Sequence, residues 1–310
     1  MQRRSMLMAV GAATIGSSLL AACGGSSNDP DIVQIAQSNP DLSILVEAVT
    51  AAGLVDTLKG PGPFTVFAPT NAAFASLLTE LGVTKDALLA NKPLLTTVLT
   101  YHVLSGRVGK AAIPVGKAIS TVQGSIFKID TSSGALAITD GRNRVAKITQ
   151  TDINASNGVV HIIDKIILPA NKDIVQTASA LPDFSILVEA VVAANLQGTL
   201  SSPGPFTVFA PTNAAFAALL TELGICKEAL LANVPLLTSV LTYHVVAGRV
   251  LKADVPVGSP ITTVQGGTFT VDSTLTITDA RNRKAKIIAT DVMTSNGVIH
   301  AIDTVLLPAA

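Results

Sequence analysis

The four histidines of the chain are its side chains best suited to acid–base chemistry, because a free imidazole titrates near neutral pH. They are His102, His161, His244 and His300. A catalytic interpretation would pair His161 with Asp164, or His102 with Asn71, so that one group orients the other. Each pairing would recur in the second half of the chain, where the same residue types return.

The sequence gives a catalytic site little support. It contains neither the G-x-S-x-G turn of hydrolases nor the H-E-x-x-H helix of zinc proteases. Strand alternation would place His161 and Asp164 on opposite faces. Paired histidines about 60 residues apart, without a cysteine pair, are a weak zinc signal, and the scattered carboxylates form no calcium loop. We therefore expect no enzyme activity, metal or cofactor, and interpret these polar groups as hydrogen-bonded structural residues.

The histidines belong to a long internal repeat. The segment PGPFTVFAPTNAAFA occupies residues 61–75 and returns unchanged at 203–217, an offset of 142. The offset falls to 139 after the second copy loses three residues near Thr131–Ala135. A repeat of this length is a whole domain. The sequence thus predicts domain 1 at 31–169 and domain 2 at 173–308, with so short a connection that we expect a nearly fixed angle between them.

The first thirty residues have the composition of an export signal. Arg3 and Arg4 precede an apolar stretch, which ends in Leu-Ala-Ala-Cys before a polar tether at 23–30. This ending resembles the lipobox of bacterial lipoproteins, which implies a signal peptide at 1–22 and acylation of Cys23. The paired arginines are compatible with either twin-arginine or general export. Gly24 after the cysteine resembles an outer-membrane sorting signal if the cell is Gram-negative.

Composition excludes some functions and leaves the second cysteine without an evident role. The 21 basic residues balance 21 acidic ones, which argues against nucleic-acid binding. Lipidation of Cys23 would leave Cys226, whose counterpart in domain 1 is Thr84. We therefore expect no internal disulfide, and we interpret Cys226 as a partly exposed, incidental thiol.

Helical patterns precede strand patterns within each repeat. In domain 1 apolar spacing predicts helices over Asp41–Ala52, from Thr70 or Asn71 to Glu80, and from Lys92 to Tyr101. Short β-branched segments then follow. The predicted strands are 64–68, 119–122, 125–130, 136–140, 145–149 and 159–168. This order predicts an α+β domain with a mixed or antiparallel sheet folded on itself and helices at one end. We expect Asn157-Gly158, a pair that tolerates positive φ, to form a turn before the last strand.

Three blocks in each repeat resemble the fasciclin domain family. They are Thr65–Phe74, Tyr101-His102 and Asn157–Asp164, and in domain 2 Thr207–Phe216, Tyr243-His244 and Asn296–Asp303. The resemblance implies a compact α+β fold around a β-wedge, twice in tandem. The candidate structural residues are Thr70, Asn71, Tyr101, His102, Asn157, Gly158, His161 and Asp164, with Thr212, Asn213, Tyr243, His244, Asn296, Gly297, His300 and Asp303 in domain 2.

Two groups of residues are candidate contact loops. In animal relatives an Asp-Ile pair before the third block is linked to integrin binding, and Asp152-Ile153 occupies that place here. At the same place domain 2 has Asp291-Val292 instead of an Asp-Ile pair. The presence of these residues does not imply integrin binding by this chain. The second group is basic and either caps solvated hairpins or contacts anionic polysaccharide or lipid headgroups. It comprises Arg142, Arg144, Arg281, Arg283 and Lys284.

The resemblance also implies a function outside the cytoplasm. We expect an exported envelope lipoprotein, anchored by lipid at Cys23, that contacts cell-surface or matrix proteins or polysaccharides. The alternative is a carrier of a hydrophobic small molecule such as a carotenoid or lipid, because some fasciclin-domain proteins are associated with carotenoids. Coloured or lipid-releasing protein would favour the carrier, and colourless protein that promotes attachment would favour adhesion.

Overall fold

The computed structural model describes residues 29–132 and 134–309. The predicted signal peptide and the acylation of Cys23 lie outside these residues. The α+β prediction is confirmed, because each repeat forms its own mixed sheet with helices packed against it.

Domain 1 begins with six helices interrupted by one strand. The helices are α1 Ile32–Ser38, α2 Ser43–Ala51, α3 Val55–Lys59, α4 Asn71–Leu81, α5 Lys85–Ala90 and α6 Lys92–Tyr101. A capping box between Asp31 and Gln34 starts α1. The sequence analysis did not predict α1, α3 or α5. Thr70 caps α4, and Gly82 ends it in the left-handed conformation.

Seven strands complete domain 1. They are β1 Phe64–Pro69, β2 Val103–Ser105, β3 Ala118–Ser120, β4 Ile126–Ser132, β5 Ala135–Thr139, β6 Val145–Ala155 and β7 Gly158–Ile163. Their order in the sheet is β2-β1-β7-β6-β5-β4-β3, in which β1 and β7 run parallel and all other neighbours run antiparallel. The predicted mixed sheet is therefore confirmed.

The long strand β6 folds the sheet on itself. Its register with β7 shifts between Ile148 and Gln150, and again before Ile153. Asp152, inside this irregular stretch, has φ 61°. Bulges of this kind bend a strand. Each domain accordingly has two apolar cores. In domain 1 one core lies between the helices and the β1–β7 half of the sheet, and the other is enclosed by the folded sheet. Phe67, Tyr101 and Phe127 pack edge to face in the inner core.

Domain 2 repeats this order. Its helices are α7 Ile174–Ser179, α8 Ser185–Ala193, α9 Gln197–Leu200, α10 Asn213–Leu223, α11 Lys227–Ala232 and α12 Val234–Tyr243. Its strands are β8 Phe206–Pro211, β9 Val245–Ala247, β10 Pro260–Thr262, β11 Thr268–Val271, β12 Thr276–Thr278, β13 Lys284–Thr294 and β14 Gly297–Ile302. The sheet order β9-β8-β14-β13-β12-β11-β10 matches that of domain 1.

Two details differ from the sequence predictions. The first predicted helix is a 3-10 turn at Pro40–Leu42 followed by α2. The last strand ends at Ile163 rather than residue 168, because the chain then leaves the ladder and side chains bind its backbone instead. Asn157 and Gly158 do not have positive φ. Gly158 is required because a Cβ there would lie 2.1 Å from the Phe64 carbonyl oxygen of the neighbouring strand.

Candidate functional site

The histidine rings are buried and hydrogen-bonded to backbone at both nitrogens. His102 Nδ1 donates to the Val98 carbonyl at 2.7 Å, and its Nε2 accepts from Ile167 N at 3.1 Å. His161 has the opposite tautomer: Nε2 donates to the Val108 carbonyl at 2.9 Å and Nδ1 accepts from Asp152 N at 3.2 Å. No ring nitrogen of either histidine is left to accept or deliver a proton in a reaction.

Domain 2 repeats both arrangements. His244 donates to Val240 O and accepts from Leu306 N, and His300 donates to Val250 O and accepts from Asp291 N. Burial lowers the pKa of His102 and of His244 to about 4, outweighing the bond to the carbonyl of the preceding helical turn. The rings of His102 and His244 are therefore neutral at physiological pH.

The proposed partners of the histidines bind elsewhere. Asp164 Oδ1 accepts from Lys147 N at 2.7 Å, and Asp303 accepts from Lys286 N in the same way. Asn71 braces the start of α2: its amide oxygen accepts from Ile44 N at 2.9 Å while its amide nitrogen donates to Pro40 O. Neither catalytic pair exists in the structure.

The remaining signature residues join separate elements. Asn157 accepts from Ile32 N at 3.1 Å and donates to Leu58 O at 2.7 Å, which ties α1 and α3 to the β6–β7 turn. Tyr101 donates to Ile126 O and accepts from Gly141 N, and its burial raises the pKa of the phenol. The equivalent residues of domain 2 make the same contacts. These are Thr212, Asn213, Tyr243, Asn296 and Gly297.

A buried aspartate that the sequence analysis passed over organises the basic loop. Asp140 is 1% exposed and accepts from the backbone nitrogens of Arg142, Arg144 and Leu168, each at 2.9 Å. It also accepts from Arg144 Nε at 3.1 Å. The available signal was the pattern Asp-x-Arg-Asn-Arg, which both domains share and which places an acidic residue before two arginines.

Most of the predicted basic contact residues have partners in their own domain. Arg144 also binds Glu80, Arg283 binds Glu222, and Lys284 donates to Thr278. Arg142 and Arg281 differ, because their Nε groups donate to the carbonyls of Pro169 and Pro308 and they pair with no described carboxylate.

Asp152 and its counterpart Asp291 have different surroundings. Asp152 is exposed and caps the 3-10 turn through a 2.7 Å bond from Lys110 N, while Ile153 packs partly against the helical core. Asp291 is buried by domain 1, where Lys128 binds it at 2.8 Å. Burial acts to lower the pKa of Lys128, but the carboxylates of Asp291 and Asp130 outweigh burial and raise it.

The contact between the domains extends around this ion pair. Asn143 binds both the backbone nitrogen and the carbonyl oxygen of Met293, at 2.6 and 3.1 Å. Ile126 of domain 1 forms an apolar cluster with three residues of domain 2. These are Leu251, Met293 and Val298.

Neither metal-binding nor membrane-spanning features occur in the residues with described structure. Across 29–132 and 134–309, no group of three or more His, Cys, Asp or Glu side chains is placed to hold a metal ion. No helix in those ranges is long and apolar enough to cross a bilayer. Cys226 is exposed and precedes α11 without capping it.

The fold and these repeated polar contacts define a tandem α+β protein whose signature residues build its scaffold. The sequence model of the Fasciclin domain matches residues 40–169 and 182–308, so the chain belongs to the fasciclin domain family. The predicted resemblance is confirmed.

Individual relatives extend this result. The chain is 34% identical over 256 residues to transforming growth factor-beta-induced protein ig-h3 of Oryctolagus cuniculus, an alignment covering 81% of this chain and 35% of that protein. It is 41% identical over 138 residues to immunogenic protein MPB70 of Mycobacterium bovis, covering 43% and 67%. A solved FAS1 domain pair from the insect cell adhesion molecule fasciclin I covers 87% of this chain and 98% of its own, with 18% identity and a TM-score of 0.44. The chain thus spans about a third of the ig-h3 protein.

Proposed function

We propose that this chain is an exported, lipid-anchored envelope protein whose two fasciclin domains contact cell-surface or matrix proteins or polysaccharides without catalysis. Fasciclin domains occur in adhesion and extracellular-matrix proteins, which supports the general class. The observation that carries the proposal is the backbone bonding of all four histidines. It leaves the protein's exposed surface, rather than a reactive cleft, as the part available for recognition.

The domain contact supports a rigid pair of binding surfaces. A buried ion pair, a two-point bond to backbone and an apolar cluster join the domains. Two weak sites held at a fixed spacing raise avidity when a partner presents two matching sites. The exposed face around Asp152 is one such surface, because the equivalent face of domain 2 contacts a protein surface, that of domain 1.

Attachment of coated beads tests this proposal. Protein lacking residues 1–23 retains every described helix and strand, and beads carrying it should bind envelope polysaccharide or matrix more strongly than uncoated beads. Reversing charge with Lys110→Glu should weaken attachment, whereas Lys59→Glu serves as a control for net charge. Attachment equal to that of bare beads would refute the adhesive role. Incorporation of a palmitate analogue that Cys23→Ser abolishes tests the anchor.

A second candidate, the carriage of a hydrophobic molecule, is favoured by a cavity in domain 1. The cavity has a volume of about 80 Å³ and lies between α1, α2 and the sheet, against Val49, Leu58 and Val160. The equivalent space in domain 2 is about 30 Å³. A cavity of ~150 Å³ holds benzene, so this smaller cavity would hold only the end of an alkyl chain or one edge of a ring.

Extraction with organic solvent, applied to protein purified from its own cells, tests whether the protein carries a hydrophobic molecule. Bound pigment or lipid should be lost in Val160→Ile, which introduces the isoleucine that domain 2 has at position 299. Colourless protein that releases no lipid into organic solvent would refute this candidate.

A further inference from the structure

Each domain has a second apolar pocket, and in domain 1 His102 lines both this pocket and the cavity just described. In domain 1 it lies between α4, α5 and α6 and has a volume of about 110 Å³. Phe74, Leu77 and Leu95 line it. In domain 2 the pocket is about 90 Å³ and Phe216, Leu219 and Leu237 line it.

An arginine lines each of these otherwise apolar pockets. Arg142 does so in domain 1 and Arg281 in domain 2. The Nε groups are held by prolyl carbonyls, at 3.4 and 2.9 Å, which orients each side chain along the pocket. Burial lowers the pKa of Arg142, and the nearby Arg144 lowers it further. The terminal nitrogens of both arginines make no hydrogen bond within the described residues.

The neighbouring arginines of the same loops differ from Arg142 and Arg281, because each forms an ion pair with a glutamate. Arg144 and Arg283 lie two residues further along the same loops, and they pair with Glu80 of α4 and Glu222 of α10. Those glutamates are therefore already neutralised. An anion beside Arg142 or Arg281 would meet an uncommitted guanidinium whose planar donors match a carboxylate in two-point geometry.

The apolar rim of each pocket is exposed. Leu81 is 41% exposed in domain 1 and Leu223 is 44% exposed at the same position of domain 2. A bound alkyl chain would cover these side chains and remove apolar surface from water. The small volume selects a single chain, because a cavity of ~150 Å³ holds only one benzene.

We propose that each pocket binds a single-chain alkyl carboxylate, with the first part of the tail between α4 and α6 in domain 1, or α10 and α12 in domain 2. The carboxylate pairs with Arg142 or Arg281. The site does not depend on the adhesive role and is separate from the cavity lined by Val160.

Calorimetry with decanoate tests the site on protein lacking residues 1–23. We expect two decanoate molecules per chain. Arg142→Ala should weaken binding at one site at least about tenfold, since a hydrogen bond to a charged group is lost. Arg142→Ala with Arg281→Ala should weaken both sites. Decanol, which has the tail without the charge, should bind all three proteins equally, and Lys59→Ala should bind decanoate as the unaltered protein does.

Methyl NMR of the unaltered protein gives a readout independent of any variant. Decanoate should shift the leucine methyl resonances of Leu77 and Leu95 and of their counterparts in domain 2, while the Val160 methyls remain unshifted. The proposal is overturned if decanoate binding does not saturate, if the double arginine variant binds decanoate with unaltered affinity, or if the shifts centre on Val160.

Discussion

The two domains share one fold but meet through different faces. Domain 1 contributes β4 and the turn after β5, through Ile126, Lys128 and Asn143, whereas domain 2 contributes the segment before its 3-10 turn and β13. The contact is therefore head to tail, the type that can continue into an open chain of copies unless something prevents it.

Four of the residues that make the contact are replaced on the outward faces. Where domain 1 has Ile126 and Lys128, domain 2 has Thr268 and Thr270. Where domain 2 has Leu251 and Met293, domain 1 has Gly109 and Asn154. Asn282 and Asp152, the counterparts of Asn143 and Asp291, persist on the outward faces, so the apolar and cationic contact residues are the ones that differ there. Comparing the copies thus separates residues that build the domain from residues that join the pair.

The largest difference in stability between the domains should appear when the buried aspartate of the basic loop is removed. Asp140→Ala takes the partner from Arg144 and from three backbone nitrogens, so domain 1 should lose about 3–5 kcal/mol. Asp279 binds backbone nitrogens and makes no ion pair with Arg283, so Asp279→Ala should cost domain 2 about 1–3 kcal/mol. Hydrogen exchange resolved by domain measures both. Equal losses would contradict the distinction.

The next effect concerns the domain contact itself. Lys128→Ala leaves Asp291 buried without its cation, which should cost about 3 kcal/mol. It should also broaden the distribution of interdomain distances in small-angle scattering. Thr270→Ala, at the equivalent half-buried position of domain 2, is the matched control and should change stability by less than about 0.5 kcal/mol. A narrow distribution for Lys128→Ala would show that the ion pair does not fix the angle.

Acidification should destabilise both domains through one buried histidine in each, His102 and His244. The pKa of His102 and of His244 is about 4 in the folded protein, below the ~6.5 of an unfolded histidine. The unfolded chain therefore binds more protons between these values, so the stability of each domain is full above about pH 6.5 and falls as the pH approaches 4, by roughly 3 kcal/mol per histidine. Urea unfolding across this range measures the slope. His102→Gln should flatten it for domain 1 and leave domain 2 unchanged.

Placing the contact residues on the outward faces should make copies of the protein associate with one another. Gly109→Leu with Asn154→Met rebuilds one face on domain 1, and Thr268→Ile with Thr270→Lys rebuilds the other on domain 2. The fourfold variant should form concentration-dependent oligomers in sedimentation, either rings or open chains, because a head-to-tail contact passes from one copy to the next. Each twofold variant carries one rebuilt face and should sediment like the unaltered protein. A monomeric fourfold variant would show that these four positions do not control association.

The sequence was sufficient to predict helices and strands that have local signals. It was not sufficient to predict which groups its polar side chains bind. The start of α4 could be narrowed to Thr70 or Asn71, because a cap acts within one turn of helix. His102 and Asn157 bind backbone 65 and about 100 residues away, and no local pattern specifies such partners. The domain contact also escaped prediction, because Lys128 and Met293 look like ordinary strand residues until the fold brings them together.

The smallest predicted difference lies in the cavities between helices and sheet. Val160 and Ile299 occupy equivalent positions, and the cavity beside the valine is larger by about 50 Å³. Ile299→Val should cost domain 2 about 0.5–1.5 kcal/mol, since it removes one buried methylene and leaves space behind. Val160→Ile should be neutral or slightly stabilising in domain 1, because the space already exists and the new methylene gains contacts there. If Val160→Ile instead destabilised domain 1, as overpacking does, the cavity would be too rigid to be filled and its shape would depend on more than this one side chain.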